Sequence, residues 1–471
     1  MSLRIAILCL FVFAVSCQLQ ILTPPSLKTY WNKEKPKAAI ANFGYVPWGR
    51  RLTGTVFKAN PYKACSPLEP FPIDKEKAEN PDTYPIVLAE RGGCTFAQKA
   101  QHAQLAGARM LIIVDNLDES AEQTMPVGDG QDGSVHIPTI MIGGRAGAKL
   151  REYLDQPEET RELISIAMNF EMPKNQGSKV KIELWLSGLD ERSFDLVKNL
   201  KEYIDKFNPD TVAVTPYYAI WYCPYCRETN YTTDENMNCL SGGRYCAPDP
   251  DESGPLNGRD ILYEDLRQLC IHTLSTKSWF DYMAHFDTKC PLAKGRMEKC
   301  HLRALEHTDI EEKTLEGCIQ STFDGSNHNL TDNWLLKKQR VTFKRRGIQV
   351  WPSVVINGFL YKGNVLPVTN VYEAICEAFD TMPTHCIEYF SRKKSDTVFE
   401  EADDLDLMSI VVWIGVIGIF VLLGALFFYR RWIRRELMRD LNNQVSAKIS
   451  EYMSMQDDER GQRGIIKGTE D

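Results

Sequence analysis

The stretch that most limits how this chain can fold runs from Met408 to Tyr429 (MSIVVWIGVIGIFVLLGALFFY), apolar throughout and free of charge. A helix of ~20 such residues crosses a bilayer core, so one transmembrane helix is expected over 408–429. Glu400, Glu401, Asp403, Asp404 and Asp406 stand before it, and Arg430, Arg431, Arg434 and Arg435 stand directly after it. The positive-inside bias then predicts that residues 430–471 form a cytosolic tail. At the other end, Arg4 precedes the apolar run Ile5–Val15, followed by the small residues Ser16 and Cys17. This pattern predicts a signal peptide over 1–17, cleaved after Ser16 or Cys17. The bulk of the chain is therefore expected on the lumenal side, as a single-pass type I membrane protein.

Cysteine usage agrees with that topology. All 14 cysteines precede the apolar run, where an oxidising compartment favours disulfides. With Cys9 and Cys17 assigned to the signal, the remainder is an even set: Cys65, Cys94, Cys223, Cys226, Cys239, Cys246, Cys270, Cys290, Cys300, Cys318, Cys376 and Cys386. Spacing alone does not set their pairing. Asn230-Tyr-Thr and Asn329-Leu-Thr are glycosylation sequons, consistent with lumenal exposure. The net charge of -8 argues against a nucleic-acid partner, and the basic stretch Lys337–Arg346 reads as a solvated face. The eight histidines show no ligand spacing, so no metal site is expected. Gly-x-Ser-x-Gly and His-Glu-x-x-His are both absent from the chain, which removes two hydrolase classes.

Residues 21–172 read as one domain of short strands and a few helices. Pro85–Ala89 and Met110–Val114 are short apolar runs bounded by turns, as buried strands are. Between them Phe96–Ala106 reads as a helix packed through Ala97, Ala100 and Ala103. Ile137–Ile142 is a further strand, and Arg145–Tyr153 a further helix. The series LAERGGCTFAQKAQHAQLAGARMLIIVDN followed by IPTIMIGGRAGAKL resembles a protease-associated (PA) domain, a binding or lid module rather than a catalyst. Cys65 and Cys94 are the only two cysteines of this region and are expected to pair. Gly92 and Gly93 would let backbone approach a peptide closely, and Arg91 would offer its guanidinium to a peptide carboxylate or carbonyl. The other reading of Arg91-Gly-Gly is simply a tight turn.

Residues 179–386 read as a second domain. Val180, Ile182, Leu184 and Leu186 alternate as a strand, Asp190–Phe207 is an amphipathic helix with Asp190 as candidate N-cap, and Thr211–Thr215 is a second strand. Far downstream, Pro352–Gly363 forms two strands across an Asn357-Gly358 turn, and Val368–Phe379 a closing helix. This order resembles a thioredoxin-like fold carrying a helical, cysteine-rich insertion over about 227–340. Cys223-Pro-Tyr-Cys226 and the Pro352 stretch are similar to glutaredoxins. That likeness implies a redox pair, Cys223 attacking and Cys226 resolving, with Pro352 shaping the groove. The six further cysteines between them imply instead a stapled scaffold.

The whole order resembles the vacuolar sorting receptors. Trp221–Pro224, Gly243–Pro250 (GRYCAPDP), Asp265–Cys270 and Phe286–Pro291 carry the resemblance beside the PA segment. The fold class implied is α/β: an α+β PA domain, then a thioredoxin-like domain, a stalk over 387–407 and one transmembrane helix. The function implied is cargo reception, not catalysis. Sorting peptides of soluble vacuolar hydrolases would bind in the Golgi at Arg91, Gly92, Gly93, Cys94, Thr95 and Phe96, and leave in an acidified prevacuolar or endosomal compartment. In the tail, Tyr452-Met-Ser-Met455 has the form read by the clathrin-adaptor medium chain. The family's EGF-like repeats, some of which bind calcium, have no counterpart between Cys386 and the apolar run, so no cofactor is expected.

Overall fold

The computed structural model describes residues 18–71, 84–117, 125, 134–157, 159–223, 238–249, 254–290, 297–393, 400–401, 422–431, 433 and 448. The expected signal peptide, Cys226, Asn230, residues 408–421, Tyr452 and Met455 lie outside the described residues. The chain divides into two compact units, Met1–Ala402 and Asp403–Asp471. In the second unit, residues 422–431 are helical. Among the described residues no helix is long and apolar enough to cross a membrane.

The first unit begins with a PA-type sheet. Its strands are β1 (Gln18–Thr23), β2 (Ala38–Ile40), β3 (Arg50–Lys58), β4 (Pro85–Glu90), β5 (Met110–Val114), β6 (Thr139–Ile142) and β7 (Ser165–Phe170). Three helices join them: α1 (Pro25–Glu34), α2 (Phe96–Leu105) and α3 (Gly144–Leu154). The strand order is β1-β7-β3-β4-β5-β6-β2, with β3 through β6 parallel at the centre. Parallel strands covered on both faces need unbroken apolar runs, which is why MLIIV is buried at every residue. Ile86, Leu88, Met110 and Ile112 face α3, whose Ala146, Leu150 and Leu154 join the same core. Val87, Ala89, Leu111 and Ile113 face the alanine side of α2.

A second sheet follows. β8 (Val180–Leu186) and β9 (Val212–Tyr218) are parallel neighbours joined by the crossover helix α4 (Glu191–Ile204). α4 starts where the Asp190 carboxylate accepts from the Ser193 amide at 2.8 Å. Beyond β9 lies the insertion: the short hairpin β10 (Cys239–Leu240) and β11 (Tyr245–Cys246), then α5 (Gly258–Leu274), α6 (Thr276–His285), α7 (Met297–Leu305), α8 (Glu312–Ser321) and α9 (Trp334–Arg346). The chain returns through β12 (Ser353–Ile356), β13 (Phe359–Leu360), α10 (Thr369–Glu377) and α11 (Thr384–Lys393). The sheet order is β13-β12-β8-β9. Disulfides Cys239–Cys246, Cys270–Cys318, Cys290–Cys300 and Cys376–Cys386 tie neighbouring elements of this half together. Asn329 is exposed on the loop before α9. A last strand, β14 (Glu400–Glu401), pairs antiparallel with Arg50 and Arg51 of β3.

Gln176–Lys179 reads as a linker, yet the two sheets are joined by hydrogen bonds far from it. Gly363 and Asn364 donate their amides to the carbonyls of Ala41 and Gly44 at 2.9 and 2.8 Å. Trp48 packs edge-on against Phe359, with centroids 5.5 Å apart. The buried Glu373 carboxylate accepts from the hydroxyls of Tyr45 and Tyr389 and pairs with Lys393. A buried carboxylate requires such partners, so this node seats the last helix against both domains.

Candidate functional site

The Arg91–Phe96 turn connects β4 to α2 at the carboxyl ends of the parallel strands, where open α/β sheets hold ligands. α2 begins with a capping box: the Thr95 hydroxyl accepts from the Gln98 amide, and the Gln98 side chain accepts from the Thr95 amide, both at 3.1 Å. Two residues earlier the backbone must turn left-handed, with φ of 100° at Gly92 and 86° at Gly93, which glycine adopts without penalty. A side chain at Gly93 would press on Cys65 Sγ, 3.0 Å from its Cβ, whereas a side chain at Gly92 would meet open space. Cys65 is bonded to Cys94, S–S 2.05 Å, which pins the turn to the loop after β3.

Arg91 is used differently from the sequence expectation. Its guanidinium donates to the Asp115 carboxylate at 2.8 Å and lies over the Phe96 ring at 5.7 Å. Asp115, only 4% exposed, also accepts from the Asn116 amide at 2.8 Å. The pair locks the β4 turn to the end of β5, so the guanidinium is held by a buried carboxylate.

Lys99 was invisible to sequence reasoning. It lies on the alanine-rich side of α2, fully buried, and its ammonium donates to the carbonyls of Gly92, at 2.7 Å, and Lys63. Burial, and then the neighbouring Lys63, pulls its ammonium below the ordinary lysine range. One lysine thereby fastens the two loops that the disulfide also joins. No spacing rule marks such a residue, because a lysine on a helix usually points to solvent.

Beside the turn lies a cleft of about 520 Å3. Glu90, Asp115 and Asn116 come from the strand ends, Arg145 and Arg151 from α3, and Tyr62 from the loop after β3. The Arg151 guanidinium lies 5.8 Å from the centre of the Tyr62 ring. Both signs of charge line one open groove. Such a lining suits an extended peptide, whose backbone supplies donors and acceptors alternately. The signal that could have found these residues is positional: Asp115-Asn116 read only as a turn, although it ends a central parallel strand.

The second sheet has a matching β-turn-α crossover at Ser187–Asp190, between β8 and α4. Trp351-Pro352, a cis peptide bond, precedes β12, and Ser353 pairs with Trp185 of β8. Pro352 therefore stands beside the end of β8 and the start of α4. Cys223 instead follows β9, which β8 separates from β12. The expected groove shared by Pro352 and Cys223 is not what this strand order brings together. The helix N-terminus next to Pro352 carries Ser187, Gly188, Leu189 and Asp190, none of them a thiol. Cys223 is itself disulfide-bonded, with its amide donating to Gly243 at 3.1 Å, and Cys226 lies outside the described residues. The insertion covers the crossover. Gln268 donates to the Gly188 carbonyl at 3.2 Å and accepts from the Tyr218 hydroxyl at 2.6 Å. Glu264 accepts from Gln268 and from Tyr282.

Comparison with known proteins matches residues 52–150 to the PA domain and residues 180–376 to the vacuolar sorting receptor thioredoxin-like domain. Vacuolar-sorting receptor 7 of Arabidopsis thaliana is 29% identical over 398 residues, covering 78% of this chain and 60% of that one. Vacuolar-sorting receptor 1 of Pisum sativum is 27% identical over 388 residues, covering 75% of this chain and 59% of that one. The chain thus spans about 60% of the length of the curated relatives it matches. Among solved structures, reduced DsbA from Mycobacterium tuberculosis aligns at a TM-score of 0.28 and 13% identity, over 47% of this chain and 94% of that one. A match that weak carries no argument about chemistry.

Proposed function

We propose that this chain, a relative of the vacuolar-sorting receptors that joins a PA domain to a vacuolar sorting receptor thioredoxin-like domain, is a type I transmembrane cargo receptor. It binds sorting peptides of soluble hydrolases in the Golgi lumen and carries them toward the vacuole or lysosome. The observation that supports this reading most is at the strand ends: the Arg91–Phe96 turn is exposed at Gly92, Gly93 and Thr95, and Glu90, just before it, lines a cleft. The peptide lies along that cleft, with its backbone on the glycines and its charged groups against Arg145, Arg151, Glu90 or Asp115. The thioredoxin-like domain is a rigid support without thiol chemistry at its crossover. No metal or other cofactor takes part in binding. The apolar run 408–429 anchors the receptor, and the tail presents Tyr452 and Met455 to a clathrin-adaptor medium chain.

The test is retention of soluble vacuolar proteins on the immobilised, detergent-solubilised full chain. Hydrolases should be retained at neutral pH and leave in acid. No protein retained at either pH sinks the reading. In cells, Tyr452→Ala should shift the receptor toward the cell surface or vacuole, and an unchanged distribution would place the address elsewhere in the tail.

A further inference from the structure

A second cavity, of about 590 Å3, opens at the far end of α3. Its apolar walls are Phe57 and Leu68, Phe71 from the loop after β3, and Leu154 from the last turn of the helix. The rings of Phe57 and Phe71 lie 5.6 Å apart at a tilt. The cations at this cavity are committed to protein groups. Lys58 pairs with Asp155, and Arg161 donates to the carbonyls of Leu154 and Gln156 at 2.7 and 3.1 Å. Asn60, Glu69 and Gln156 line it as well, so a ligand meets polar groups beside the apolar wall of Phe57, Leu68, Phe71 and Leu154.

The two cavities follow one another along the same helix. Arg145, Ala148 and Arg151 line the first; Leu154, Asp155 and Gln156 line the second. Tyr62 lines the first cavity, its ring 5.8 Å from the Arg151 guanidinium. From Arg145 to Leu154 the helix rises ~14 Å, which an extended peptide covers in about four residues. The first cavity holds cations on α3 and carboxylates at the strand ends, and the second adds two aromatic rings, Phe57 and Phe71, with Leu68 beside its polar rim.

We propose that the two cavities are halves of one peptide site, resting on the cargo-receptor reading above. The first holds the backbone and a charged group, and the second receives a bulky aliphatic or aromatic side chain about four or five residues along the same extended segment. Specificity then comes from a two-point match. A peptide with only one of the two features binds weakly, and spacing is read by the distance along α3.

The probe is a displayed library of random dodecapeptides, selected on the purified full chain in detergent. Wild type should enrich sequences with a charged block and a large apolar residue at fixed spacing. Leu68→Lys should erase the apolar preference and weaken individual selected peptides on the order of ten-fold, as loss of an apolar subsite does, while the charged block stays. Pro70→Lys, on the exposed rim, places a charge at the same cavity and should act alike without touching the core. Arg91→Ala should abolish enrichment altogether. If both lysine variants return the wild-type consensus, the second cavity does not read cargo. If wild type enriches nothing, the cargo reading falls and this inference falls with it.

Discussion

The chain builds the same device twice, a parallel strand turning into a helix, and finishes the two differently. After β4, the turn Arg91–Cys94 ends in exposed glycines beside an open cleft. After β8, the turn Ser187–Asp190 is roofed by α5: Gln268 holds the Gly188 carbonyl, and a Cβ on Gly188 would fall 2.2 Å from the Asp265 carboxylate. Among the described residues the first crossover keeps exposed glycines, and the second is part of a core. The lesson is that a helix N-terminus in a sheet of this kind becomes a site only where no later segment packs on it. The insertion between β9 and β12 is that segment.

The strongest test of the contrast is Arg91→Ala. It leaves the buried Asp115 carboxylate without its guanidinium, and removing one partner of a buried pair costs about 3 kcal/mol. The variant should melt earlier and lose cargo retention; full retention would show that the cleft does not depend on the lock between β4 and β5. Gly188→Ala comes next. Overpacking against Asp265 should cost between about 2 and 3 kcal/mol, read by chemical denaturation, with cargo affinity per folded molecule unchanged. An unaffected denaturation midpoint would mean that the roof over the second crossover is loose, and the comparison would break there.

Lys99→Met should cost about 2 kcal/mol, because the Gly92 and Lys63 carbonyls lose their donor. Unlike Gly188→Ala, it should weaken peptide binding beyond its effect on stability, since it loosens the turn itself. Wild-type affinity in Lys99→Met would place the fastening entirely on Cys65–Cys94.

The smallest effect is a slope with pH, and it separates the two regions by location. His301 is buried beside the Tyr282 hydroxyl at 3.1 Å, and burial, then Arg267, lowers it from the ordinary 6.5 to about 3. The unfolded chain therefore takes up the proton first. This contribution is present above pH 6.5 and is lost as pH falls toward 3, reaching about 2 kcal/mol near pH 5. Asp265, raised by burial and then by Glu264, acts in the opposite sense and gains stability in acid. Comparing denaturation at neutral pH and near pH 5 for wild type and His301→Leu isolates the histidine. Equal slopes would remove the covered domain as a source of acid sensitivity.

Much of the fold was legible. The uninterrupted runs Pro85–Ala89 and Met110–Val114 signalled strands covered on both faces, and the alternation in Val180–Leu186 signalled a sheet with two distinct faces. The Asp190 cap and the Asn357-Gly358 turn are local chemistry and were readable as such. Helix α1 was not, since Pro25–Glu34 buries only Leu27 and Trp31 and shows little periodicity. The site was half legible. The glycines of the turn declare themselves because their backbone angles exclude other residues. The roles of Asp115 and Lys99 do not, because each depends on a partner brought from another strand or loop.

By itself the sequence determined the apolar run, the cysteine-bearing side of it, the order of strands and helices, and the Arg91-Gly-Gly turn. These are properties of short segments, written in hydrophobic period and local backbone preference. Tertiary structure decided which strand lies next to which. Pro352 follows Cys223 far down the chain, and only the order β13-β12-β8-β9 places it beside Ser187–Asp190 instead. Neighbours in a sheet are chosen by packing over the whole domain, so the Cys-x-x-Cys spacing could suggest a thiol site but could not put a groove beside it.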